Sequence, residues 1–127
     1  MNTNQTRVGL GGFTLVEIMI VVAILGLLAA IAIPNYVKAR ANSQANACIN
    51  NLRQLAGAVD EFALESGKTT GYQVIYPNDI TPFIKLNSAN SIPSCPAGGN
   101  YSLQTVGSVP QSKCSLGNTV SPFHILQ

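Results

Sequence analysis

Between Phe13 and Ile33 lie 21 residues with a single charged side chain, Glu17, and the sixteen from Ile18 to Ile33 carry no polar side chain at all. Wound as a helix, such a run is roughly 31 Å long, which matches a hydrocarbon layer of about 30 Å. In a chain of 127 residues that leaves room for one small domain besides. The remaining composition narrows the function classes. Only 9% of the residues are charged and the mean hydropathy is +0.25, which excludes a charged disordered tail. A formal charge of +2 is too weak to hold nucleic acid by electrostatics.

The chain divides by pattern into four stretches. Residues 1–12 are a polar head with Arg7 as its charged side chain and three glycines near its end, Gly9, Gly11 and Gly12. Residues 13–34 are the apolar run, closed by Pro34. Over residues 35–66, Cys48, Leu52, Leu55, Val59 and Phe62 recur at helical spacing, while Asn50, Asn51, Arg53, Gln54, Asp60 and Glu61 fall off that stripe. The spacing predicts a long helix from about Thr14 to Ser66, loosened near Pro34 and Gly26, stopped by Gly67 with Lys68. Its first half is apolar on every side and its second half amphipathic. Residues 67–127 are rich in Pro, Gly, Ser and Asn. They predict a short turn of helix over Ile80–Lys85 capped by Asn78 and Asp79, and strands around Tyr101–Thr105, Lys113–Leu116 and Phe123–Leu126. The fold class is α+β, with a small antiparallel sheet packed on the helical stripe.

Glu17 is the residue that most restricts what the apolar run can be for. A carboxylate among Leu15, Val16, Ile18 and Met19 costs several kcal/mol if it faces lipid charged and alone, so it needs a proton or a partner. Three readings compete. An ordinary secretory signal peptide has Arg7 before the run and an Ala30-Ile31-Ala32 site within it, and its product is a small periplasmic binding module cut after Ala32. A plain anchor leaves Glu17 at the interface. A segment that packs against copies of itself supplies the partner: cut after Gly12, Phe13 carries a free amine, and the amine of one copy neutralises Glu17 of the next.

The run Gly12-Phe13-Thr14-Leu15-Val16-Glu17, followed by apolar residues through Gly26 to Pro34-Asn35-Tyr36, resembles the class III prepilin signal of type IV pilins and type II secretion pseudopilins. The resemblance implies a leader over residues 1–12, cleavage between Gly12 and Phe13, and N-methylation of Phe13 by a prepilin peptidase. It implies that Glu17 aligns each subunit during assembly and that the chain is a non-enzymatic structural subunit with a lollipop shape. Its partners are then copies of itself and related pilins, the peptidase, an assembly platform membrane protein and, indirectly, an ATPase. The implied location is a single pass through the bacterial inner membrane with a periplasmic head, and a filament after assembly, as pilus or pseudopilus. Calcium-binding relatives in this family carry an acidic loop near the C-terminus. Here no Asp or Glu follows Asp79, so no such site is expected.

Other candidate residues carry less. Cys48, Cys95 and Cys114 are odd in number, so at most one intramolecular disulfide forms. Cys95 and Cys114 are the expected pair, closing a loop of about 20 residues worth roughly 3 kcal/mol; the alternative is three buried thiols, with Cys48 a small hydrophobe on the stripe. No CxxC pair or zinc-like local spacing is present, so neither metal nor cofactor is expected. His124, the sole histidine, has no nucleophile setting around it and is expected in a strand. Gly9, Gly11 and Gly12 do not make a phosphate loop. Tyr72, Tyr76 and Tyr101 suit core or sheet packing better than an exposed patch.

Overall fold

The computed structural model describes residues 11–119 and 121–126. Arg7, Gly9 and most of the expected leader lie outside the described residues. The chain separates into two compact units, Met1–Tyr36 and Val37–Gln127.

In the first unit, helix α1 (Leu15–Glu65) begins. Thr14 starts it: the Glu17 backbone N–H donates to the Thr14 hydroxyl at 3.2 Å, satisfying one of the otherwise unpaired donors of the first turn. Glu17 is the acidic residue of that turn, where the helix dipole favours negative charge. Thr14 and Glu17 thus have the spacing of a capping box. The helix carries Pro34 in its interior, although the ring removes one backbone donor. Every residue of this unit from Gly11 onward is exposed.

In the second unit the same helix turns amphipathic. Ala45, Cys48, Leu52, Leu55, Ala58, Val59, Phe62 and Ala63 are its buried residues, so the whole predicted stripe faces a core. The helix stops at Gly67, whose φ of +60° is the left-handed conformation that glycine accepts without strain. There the Lys68 N–H returns to the Ala63 carbonyl at 2.8 Å. Phe62 at the end of the stripe meets Tyr72 and Phe83, each with ring centroids 6.0 Å away. Val74, Ile80, Ile84, Leu103 and Val106 complete the core.

Strands β1 (Tyr101–Leu103) and β2 (Ser112–Cys114) pair antiparallel, with Tyr101 opposite Cys114 and Leu103 opposite Ser112. Both alternate buried, exposed, buried, which places these four residues on the inner face. Thr105 extends the edge by a single bridge to Gln73. Two short strands are marginal by themselves, so side-chain ties to the helix matter. Ser112 donates its buried hydroxyl to the Leu52 carbonyl at 2.8 Å, Asn51 donates to the Ser94 carbonyl at 3.1 Å, and Gln44 donates to the Pro96 carbonyl at 3.3 Å.

Two local expectations are corrected. The short turn is a 3-10 helix over Thr81–Phe83 with no side-chain cap; the Asp79 carboxylate instead accepts from the Ile75 N–H at 2.9 Å and closes the preceding loop. Residues Phe123–Leu126 form no strand, because the backbone of His124 donates to Gly117 at 2.9 Å, a loop contact and not a ladder.

Candidate functional site

The first unit carries the candidate site. Gly12 has open space around it and Phe13 is 78% exposed, so the Gly12-Phe13 junction is sterically open to a peptidase. Phe13 immediately precedes the capping Thr14, and Glu17 stands one turn further on. An amine created at Phe13 and the Glu17 carboxylate therefore both belong to the same end of the helix. Near its N-terminus an eighteen-residue window of the helix reaches a mean hydropathy of 2.9, and none of it is buried by the described residues. Ile20, Val22, Ile24, Leu25, Leu28 and Ile31 are all about half or more exposed, on every side of the helix. Apolar surface on that scale requires lipid or neighbouring protein to cover it.

This segment matches the family model of the prokaryotic N-terminal methylation motif over residues 11–33. Over that segment the chain is similar to type IV major pilins. The chain is 48% identical over 61 residues to the type IV major pilin protein PilA of Myxococcus xanthus, a stretch that covers 48% of this chain and 28% of that protein. It is 48% identical over 60 residues to the type IV major fimbrial protein FimA of Dichelobacter nodosus, covering 47% of this chain and 38% of that one. With the type IV major pilin protein PilE1 of Neisseria gonorrhoeae it shares 44% identity over 68 residues, 54% of this chain and 38% of the relative. The matched stretch thus spans about a third of the length of these curated relatives. No solved structure is significantly similar to the chain.

The other expected site residues lie in the second unit. Cys95 and Cys114, the expected disulfide pair, are free buried thiols here, and Cys48 is a third. Cys48 is more than a hydrophobe on the stripe: its sulfur, those of Cys95 and Cys114, and a ring nitrogen of His124 all lie within 4.8 Å of one another. Cys95 Sγ is 3.6 Å from His124 Nδ1. Burial pushes the Cys48 thiol up to about 12. At Cys95 burial acts in the same direction, but the N–H groups of Ala97 and Gly99 and the neighbouring thiols outweigh it and hold this thiol below its ordinary value. Tyr101 is raised by burial and by its contact with Cys48. Sequence spacing did not anticipate this gathering, since the four residues are far apart in the chain and none is paired locally.

Proposed function

We propose that the chain is a structural subunit of a type IV filament, made with a leader over residues 1–12, cut between Gly12 and Phe13, and N-methylated on Phe13. Before assembly, residues 13–34 hold the subunit in the inner membrane by a single pass with the head in the periplasm. During assembly the same residues leave lipid and pack against the helices of neighbouring copies. The observation that carries this reading is the apolar half of α1, left uncovered on every side by the described residues, with Glu17 in its first turn.

The physical logic is an exchange of one apolar surrounding for another. Lipid tails and the side chains of neighbouring helices cover Ile18–Ile33 about equally well, so hydrophobic burial alone gives little preference for the filament. Glu17 supplies that preference. In the membrane its carboxylate lies close to the helix N-terminus without a fixed counter-charge; in the filament the methylated amine of Phe13 on an adjoining subunit neutralises it in a low-dielectric medium. Only one axial stagger between copies brings the two together, so the pair sets register as well as adhesion. Extraction from the membrane draws its energy from an assembly ATPase acting through a platform protein. The relatives named above are major pilins and fimbrial proteins, which supports the filament class and a pilus ahead of a secretion pseudopilus.

The mature N-terminus decides the proposal. Mass spectrometry of the protein from the membrane or filament fraction is expected to show N-methyl-Phe13 as the first residue. A chain beginning at Ile33 and recovered from the periplasm identifies a secreted binding module instead.

A further inference from the structure

We propose that Cys48, Cys95, Cys114 and His124 form a structural, tetrahedral Zn²⁺ site that fastens the β-hairpin and the C-terminal loop of the head to α1. Three sulfurs and one imidazole nitrogen within 4.8 Å of one another make a Cys3His donor set with four ligands, the closed composition of structural zinc sites. Ideal Zn–S and Zn–N bonds of about 2.3 and 2.0–2.1 Å give tetrahedron edges of about 3.6–3.8 Å. The observed Cys95 Sγ to His124 Nδ1 separation of 3.6 Å is already such an edge.

Each ligand is held in place by contacts outside the cluster. Cys48 occupies the helix face between Gln44 and Asn51, and those two side chains tie down Pro96 and Ser94, the residues on either side of Cys95. One helical turn after Cys48, the Leu52 carbonyl accepts from Ser112, two residues before Cys114 on the same inward face of β2. Asn51 also donates to the Tyr101 hydroxyl at 3.1 Å, and Tyr101 pairs across the hairpin with Cys114. His124 is folded back by its bond to Gly117, whose own N–H donates to the Cys114 carbonyl at 3.0 Å.

The turn after Cys95 is tight. The Gly98 N–H closes it onto the Cys95 carbonyl at 3.0 Å, with Gly98 at a φ of +85°. A Cβ on Gly99 would stand 2.5 Å from the Cys114 sulfur, so this approach requires glycine. A cleft of about 460 Å³, lined by Cys114, His124 and Ser112 among others, borders two of the four ligands.

A disulfide accounts for less of this geometry. It would join two sulfurs and leave a third thiol and a buried histidine without a role, whereas one cation uses all four. Binding is balanced by proton release: three thiols become thiolates, three protons go to solvent, and Zn²⁺ with three thiolates and a neutral imidazole carries a net charge of −1. Soft sulfur ligands in a tetrahedral set favour zinc over oxygen-seeking cations.

The test uses the full chain in detergent, isolated without reductant or chelator. Elemental analysis is expected to give one zinc per chain, and thiol titration after denaturation with a chelator is expected to give three thiols. Co²⁺ added to the metal-free chain should produce the d–d bands and thiolate charge-transfer absorption of a tetrahedral site, saturating at one equivalent and displaced by Zn²⁺. His124→Gln should keep three thiols yet weaken Zn²⁺ binding at least tenfold, which keeps the test valid even where a cysteine variant fails to fold. A single free thiol in the isolated chain overturns the proposal in favour of a disulfide. Three thiols with no Co²⁺ spectrum and no Zn²⁺ uptake at tenfold excess overturn it in favour of a plain thiol core.

Discussion

The two units share one helix and use it in opposite ways. From Leu15 to Tyr36 every residue of α1 is exposed, and no face of it is buried by the described residues. From Ala45 to Ala63 one stripe is buried and the positions beside it send out directed hydrogen bonds through Gln44 and Asn51. Backbone geometry is common to both, so the difference lies in what the side chains meet. The second unit is finished within its own chain. The first is finished only by something outside it, and that incompleteness is its proposed use.

The largest expected effect separates the two units outright. Glu17→Ala removes the single charge of the apolar run at an exposed position. Processing at Gly12-Phe13, membrane retention and the thermal midpoint of the head are expected to be unchanged, while filaments seen by electron microscopy or in sheared fractions are lost. Normal filaments from this variant would remove the assigned pairing and leave the carboxylate as a helix-cap group beside Thr14.

A smaller effect is expected from matched truncations on the two sides. Leu55 is fully buried in the head, and Leu55→Ala removes apolar contacts and leaves a cavity worth about 2–5 kcal/mol. Leu25 is 59% exposed, and Leu25→Ala should leave the stability of the head unchanged while altering only how tightly copies pack. Denaturant melts of both variants in detergent, followed by near-UV circular dichroism of the head tyrosines, check this. A head destabilised equally by both would mean that the halves of α1 unfold together and that the contrast drawn above is one of sequence only.

What could be read from the sequence follows the same division. The apolar run, the stripe from Cys48 to Phe62, the stop at Gly67 and the positions of β1 and β2 were all legible, because each is set by local periodicity or by one residue's backbone preference. The Cys48, Cys95, Cys114 and His124 cluster was not. Its members come from a helix, a turn, a strand and a loop, and they meet through the side-chain ties from Gln44, Asn51 and Ser112, which leave no periodic trace. Phe123–Leu126 is apolar enough to suggest a strand, but the backbone bond from His124 to Gly117 overrides that local preference. Asp79 follows the same logic: an Asx residue next to a helical turn suits both a cap and a loop closure, and the Ile75 N–H is the better-placed donor.

The smallest effect probes the far end of the helix. Gly67 holds a φ of +60° with no heavy atom close enough to meet a Cβ, so Gly67→Ala adds backbone strain and no clash. The cost of placing alanine in that conformation is about 1 kcal/mol, set against a slight gain from a stiffer unfolded chain. A melt of the full chain in detergent should therefore fall by about that amount. Hydrogen exchange should rise around Phe62–Lys68, where the Lys68 bond to Ala63 closes the helix, and stay constant over residues 15–36. Loss of protection in that apolar segment would show that the cap stabilises the whole length of α1. Protection that stays constant there would mean that the head's own core fixes the amphipathic half, while the apolar half depends on whatever surrounds it.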